Sequence, residues 1–161
     1  MDRTKIDSYE ITSYTLALQP NYDPEYQTLA FEDGCAYLVR QSILQIIKYS
    51  CLINGSSLSG RREYSEYVTN KKYKLPILLS EVCGIVAMPT HSSEHVECSW
   101  IMANHVERLR PRYKNGKQKG TLILFNNGAT IPVDVPHSLM KSQHRLSLSC
   151  LGHHLIQSRR K

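Results

Sequence analysis

The sequence predicts an α+β fold: a single domain over residues 1–161, mostly antiparallel β-strands with short helices and a C-terminal helix. Three observations predict it. Two strand-like runs, Thr121-Leu-Ile-Leu-Phe125 and Ala129-Thr-Ile-Pro-Val133, flank Asn126-Asn-Gly128, a strong short-range hairpin signal. Short apolar runs bounded by polar, turn-rich stretches recur earlier in the chain. From Pro136 onward, Leu148, Leu151 and Leu155 fall three and four residues apart, the spacing of one helix face.

In chain order, Tyr9 to Leu18 is rich in β-branched and aromatic residues and reads as a first strand, followed by a polar loop from Pro20 through Pro24. Cys35 to Val39 reads as a second strand. Ile43-Leu-Gln-Ile-Ile47 begins an apolar segment that periodicity leaves open between a short helix and a buried strand. Asn54 to Gly60 is a loop by composition. Pro76 to Met88 is strand-rich and holds the core, and Pro89 to Glu97 is polar and turn-like. In the hairpin, Asn-Gly is expected to supply positive φ at both central turn positions. Pro136 suits a first helical turn, and Gly152 weakens the helix that follows.

A chain of 161 residues with 41% hydrophobic and 21% charged residues can bury an ordinary core without disulfides or metal. No apolar run approaches the roughly 20 residues of a membrane span, and MDRTKIDSYE has no apolar signal core, so a cytosolic protein is expected, nucleoid-associated only if it binds DNA. Five cysteines, Cys35, Cys51, Cys83, Cys98 and Cys150, are odd in number and lack close pairing, which suits a reducing compartment; they read as buried thiols.

The net charge of +6 is unevenly spread. Residues 1–60 hold four Lys/Arg against seven Asp/Glu, whereas residues 61–161 hold sixteen against seven. Such a field points one face at a polyanion, either nucleic acid or an acidic membrane surface. The membrane is disfavoured because apolar and basic residues do not share one strongly amphipathic helix.

Three basic clusters could touch nucleic acid. Arg108, Arg110, Arg112 and Lys114 alternate, so an extended chain would project all four to one side about 7 Å apart, with Lys117 and Lys119 continuing the row past Gly116. Arginine suits a narrow AT-rich minor groove, whose negative potential favours a weakly hydrated guanidinium. Ser56 and Ser57 beside Arg61 and Arg62 form a candidate phosphate clamp, without the ending of a nucleotide P-loop. Lys71, Lys72 and Lys74 surround Tyr73, which could pack on sugar or on the protein's own surface. A solvated loop or a flexible connection accounts for each run equally simply.

Other constellations are weaker. His91, His95 and Cys98, with His105, have spacings that zinc could use, but the paired cysteine motif is missing, and no metal or cofactor is expected. No catalytic signature is present, so the chain is not read as an enzyme. Trp100 could wedge between bases but reads as a core anchor. The C-terminal helix, with Lys141, Arg145, Arg159, Arg160 and Lys161, has an apolar stripe too thin for a monomer core. It could pack on the sheet, pair two subunits or lie along DNA.

An ordered set of motifs runs through the chain: Ser8-Tyr-Glu10, Ile43-Leu-Gln-Ile-Ile47, Ser50-Cys51, Gly55-Ser-Ser-Leu-Ser-Gly-Arg61, Pro76-Ile-Leu-Leu79, Met88-Pro-Thr90, Cys98-Ser-Trp-Ile101, Phe125-Asn-Asn-Gly128 and Ser138-Leu139. Together, over roughly residues 8–155, they resemble the ComK family of competence transcription factors. The resemblance implies an activator of genes for DNA uptake and recombination, bound to paired AT-rich promoter boxes largely through the minor groove. It also implies a homodimer or dimer of dimers, and RNA polymerase as the partner at target promoters. Members of the family can run on into a C-terminal tail read by an adaptor for a Clp protease; ending at Arg159-Arg-Lys161 puts that control in doubt. The alternative is a shortened paralogue that modulates a full-length regulator without activating genes itself. The run Arg108 to Lys119 is not part of the resemblance.

Overall fold

The computed structural model describes residues 3–160, without the side chains of residues 154, 155, 157, 158 and 160. The predicted Leu155 of the helix stripe, the Arg160 side chain and Lys161 therefore lie outside the described residues. The architecture is the expected α+β one, mostly antiparallel, with a C-terminal helix.

Seven strands form the larger sheet: β1 (Arg3–Ile6), β2 (Thr15–Pro20), β3 (Thr28–Glu32), β4 (Cys35–Val39), β5 (Ile77–Ser80), β6 (Ile85–Pro89) and β7 (Trp100–Met102). Their spatial order is β1-β4-β3-β2-β7-β6-β5, and β1 pairs parallel to β4 while the other pairs are antiparallel. Alternate side chains of a strand face opposite ways. Ile77, Leu79, Ile85, Ala87, Trp100 and Met102 accordingly enter one buried cluster, and Leu78, Val86, Met88 and Ile101 the other. Burial on both faces is why the strand-rich stretch from Pro76 reads as continuously apolar.

Helix α1 (Ile43–Ile53) covers one face with Ile46, Ile47 and Cys51. Periodicity left its type open, and the preceding serine decides it. Ser42 Oγ accepts from the Gln45 amide at 3.2 Å while the Gln45 side chain accepts from the Ser42 amide at 2.8 Å, a reciprocal cap that starts a helix. The opposite face is covered by a three-stranded sheet, β8 (Val106–Lys114), β9 (Lys117–Phe125) and β10 (Thr130–Val133), in the order β10-β9-β8, together with α3 (His137–Arg160). Ile123, Phe125, Ile131, Val133 and Met140 fill that layer. Helix α2 (Leu58–Thr69) packs against α1, β5 and α3.

Several expectations are corrected. The first predicted strand does not run from Tyr9; β2 begins at Thr15, and Tyr9 is instead a buried cross-link whose hydroxyl bonds Thr15 Oγ1 at 2.7 Å and Glu32 Oε2 at 2.9 Å. Strand β1 precedes it and β3 lies between the two predicted strands. The predicted loop to Gly60 stops at Ser57, which caps α2 by accepting from the Gly60 amide at 3.0 Å. In the predicted hairpin, Gly128 alone has positive φ (90°), and its amide closes the turn onto the Phe125 carbonyl at 3.0 Å. The tight turn with positive φ at both central positions is instead Asn115 (53°) and Gly116 (76°), joining β8 to β9. Of the cysteines, Cys51, Cys98 and Cys150 are buried as expected, but Cys35 is half-buried and Cys83 is exposed in the turn between β5 and β6.

The thin stripe of α3 also has a cause. Its inward face carries polar residues that are paired: Gln143 Nε2 donates to the Lys74 carbonyl at 2.6 Å and the Pro89 carbonyl at 3.3 Å, and Ser147 Oγ donates to the Gln143 carbonyl at 2.7 Å. Burial without apolarity is tolerable only with such partners.

Candidate nucleic-acid interface

Beyond the core, β8 and β9 continue as a two-stranded ribbon. Register places Arg108 opposite Leu124, Arg110 opposite Leu122, Tyr113 opposite Gln118 and Lys114 opposite Lys117. Residues directly opposite in an antiparallel pair share a face, and alternate residues along a strand return to it. Arg108, Arg110, Arg112 and Lys114 thus form one row, as predicted. Lys117 and Lys119 do not extend it: the chain reverses at Asn115-Gly116 and brings Lys117 back beside Lys114, making a second row. The inner face of the same sheet, with Leu109, Ile123 and Ile131, packs on the core, so the cations must face outward.

All residues from 112 to 119 are exposed. The bend from sheet to ribbon falls between the Pro111–Thr121 and Tyr113–Gln118 pairs, next to Gly120. Gly120 has φ +88, and a Cβ there would stand 2.3 Å from the Val133 carbonyl oxygen. Both facts require glycine.

Among the described residues none of the six ribbon cations has a hydrogen-bond or ion-pair partner. In the acidic first third, by contrast, the Arg40 guanidinium is 2.7 Å from Asp7 and 2.5 Å from Glu25. Arg40 is thus neutralised within the fold, whereas the six ribbon cations are open.

Helix α3 links the ribbon to the second cluster. Arg108 lines a groove of about 460 Å³ with Lys141, Arg145, His137 and His144. His137 and His144 fix the helix there, their Nε2 atoms bonding the Leu109 and Ala103 carbonyls at 3.0 and 3.2 Å. On its other flank, Leu139, Ser142 and Gln143 border a hollow of about 450 Å³ with Lys71, Lys72 and Lys74. The 24 residues of α3 include no acidic one. That absence was the sequence signal for Lys141 and Arg145, which the predicted site residues did not include.

Lys71 to Lys74 lie in the turn after α2. Asn70, at φ 55, ends the helix in the left-handed conformation, and Lys74 is also left-handed at φ 53. Tyr73 is exposed. Burial holds the Lys74 ammonium below the usual lysine range. Arg62 joins this turn in a cleft of about 210 Å³ lined also by Lys72, Lys74, Ser92, Ser93 and the edge of Trp100.

The rest of the predicted clamp is used internally. Arg61 is buried, with Nη2 2.6 Å from Glu81 Oε1 and Nε donating to Ser56 Oγ at 2.9 Å. Ser56 Oγ itself donates to the Cys51 carbonyl at 3.0 Å. Arg62 is thus separated from Ser56, Ser57 and Arg61, which brace α1, α2 and the turn after β5.

Trp100 is buried in the core. His91 and His95 stack at 5.0 Å, Cys98 Sγ donates to the His91 carbonyl at 3.4 Å, and His105 bonds the Ser13 carbonyl at 2.6 Å. Among the described residues no group of three or more His, Cys, Asp or Glu stands where it could hold a metal ion. No described helix is long and apolar enough to cross a membrane.

A family model described as ComK protein matches residues 6–150. The chain is also 30% identical over 139 residues to the competence transcription factor of Bacillus subtilis (strain 168), covering 86% of this chain and 70% of that protein. No solved structure matches it.

Proposed function

We propose, starting from the fact that this chain belongs to the ComK family, that it regulates transcription of competence genes and binds double-stranded DNA through the cationic face of the β8–β9 ribbon. The observation that carries this reading is the pair of cationic rows, Arg108-Arg110-Arg112-Lys114 and Lys119-Lys117, exposed and without internal partners. Charges left open on a fold that pairs Arg40 and Arg61 internally serve an external polyanion.

A two-stranded ribbon fits the major groove, and over the narrower minor groove only its side chains enter. Arg108, Arg110 and Arg112 suit the enhanced negative potential of a narrow AT-rich minor groove, and Lys114, Lys117 and Lys119 at the tip suit flanking phosphates. The open face of α3, with Lys141 and Arg145, extends the surface. Paired promoter boxes, association of dimers and RNA polymerase at the promoter enter this reading from the family.

The test is a gel-shift salt series on an AT-rich duplex with R110A/R112A against the unaltered chain. Affinity falls, and the salt slope falls by about 0.9 for each phosphate no longer neutralised. Unchanged affinity with an unchanged slope removes the ribbon from the interface.

A further inference from the structure

The cleft between α2, the turn after it and the Ser92-Ser93 loop has a composition of its own. Three cations line it, Arg62, Lys72 and Lys74, against one carboxylate, Glu66. Among the described residues none of these four side chains has a hydrogen-bond or ion-pair partner. Like charges converging in a concave space repel one another unless an anion joins them.

The backbone fixes one of the three, Lys74, at the cleft. Lys74 is held at φ 53, a conformation lysine rarely adopts, and its carbonyl is fixed by Gln143 at 2.6 Å. A non-glycine residue stays in such a conformation only where the surrounding structure holds it there. Burial holds the Lys74 ammonium below its ordinary range, a cost that a bound anion would remove.

Shape and chemistry narrow the ligand. About 210 Å³ is below the roughly 300–1,000 Å³ of pockets that enclose a whole small molecule, so only one compact group enters. Three cationic donors with the hydroxyls of Ser92 and Ser93 match a tetrahedral oxyanion. Tyr73, 81% exposed at the rim, offers a flat apolar surface to whatever the anion is attached to.

We propose that this cleft is a phosphate-ester site, in which Arg62, Lys72 and Lys74 hold one phosphoryl group and Tyr73 packs on the sugar it esterifies. Two sources share that chemistry, a backbone phosphate of bound DNA and a free sugar phosphate. The DNA source rests on the function proposed above; the phosphate chemistry of the cleft does not.

The experiment has two arms. In the first, the full chain is titrated with inorganic phosphate and with ribose 5-phosphate at constant ionic strength, following the backbone amides of Lys74, Ser92 and Ser93 by NMR. Saturable shifts confined to the cleft are expected, more than tenfold weaker in R62Q/K74Q. In the second, that variant enters the DNA salt series, where one fewer neutralised phosphate lowers the slope by about 0.9 with sequence preference unchanged. Cleft shifts with a lowered slope support the DNA source, and cleft shifts with an unchanged slope support the free sugar phosphate. No saturable shift, or shifts at the ribbon alone, overturns the site. The titration of the unaltered chain in the first arm reads even if the variant fails to fold or the chain fails to bind DNA.

Discussion

The guanidinium of Arg61 and the carboxylate of Glu81 meet at 2.6 Å, with side chains 10% and 30% exposed, and so tie α2 to the turn after β5. Both ion pairs of Arg40 are far more open to water. Removing one partner of a buried pair strands the other, whereas an exposed pair contributes little. R61A should therefore destabilise the fold by about 2–4 kcal/mol, discounted at the lower end because Glu81 keeps some water. Urea unfolding measures it, and the DNA salt slope should be unaltered. A normal midpoint with a reduced slope would move Arg61 to the DNA surface.

Two glycines should respond in opposite directions. G120A meets the Val133 carbonyl and a left-handed backbone, costing about 1–2 kcal/mol for the conformation alone before the clash is counted. Gly152, inside α3, has nothing within 4 Å of the point where a Cβ would stand, so G152A should stabilise by about 0.8–1 kcal/mol. Thermal midpoints falling for the first and rising for the second confirm both. A tolerated G120A would mean that the ribbon can hinge without this bulge.

Charge and guanidinium shape can be separated on the ribbon. R110K/R112K keeps the charge, so its salt slope should match that of the unaltered chain. Its affinity for AT-rich over GC-rich duplex should fall by about tenfold, since lysine's ammonium is more strongly hydrated and costlier to insert in a narrow groove. Equal selectivity would restrict the arginines to phosphate contacts.

His91 gives a pH dependence. Burial, then the neighbouring His95 and Lys74, hold its imidazole below the ordinary value of 6.5, while Glu97 and Asp134 act in the opposite sense. The unfolded chain thus binds its proton first, so stability falls as pH drops below about 6.5 and stops falling below the folded value. H91Q should flatten that part of the stability curve, read as urea midpoints from pH 7.5 to 5. An equal acid loss in H91Q would assign it to other groups.

The elements legible in the sequence were those whose signal is local. The double-faced strands β5 and β6 were visible as apolar runs, and α3 as a helical spacing of leucines, although Leu148 is exposed and the buried face is Met140, Gln143, Ser147 and Cys150. Those missed had signals that only contacts complete. Helix α2 buries Arg61 and Ser65, not an apolar stripe, so its sequence looked like a polar connection. Strand β1 is mostly exposed and charged at the sheet edge, with no alternation to read. Of the candidate site, the alternation of Arg108 to Lys114 was readable because a strand's period is two. The return of Lys117 was not, since it depends on which of two Asn-Gly pairs makes the tight turn.

By itself the sequence determined the α+β class, the family motifs and the concentration of positive charge after residue 60, because composition, order and short periodicities are properties of the chain. Which of those cations are open was decided by the tertiary structure alone. Arg61 and Arg62 are neighbours in sequence, yet one is drawn inward to Glu81 and the other lines a cleft with Lys74. An arginine's freedom to meet a phosphate depends on whether folding has already brought it a carboxylate, and that partner can come from anywhere along the chain.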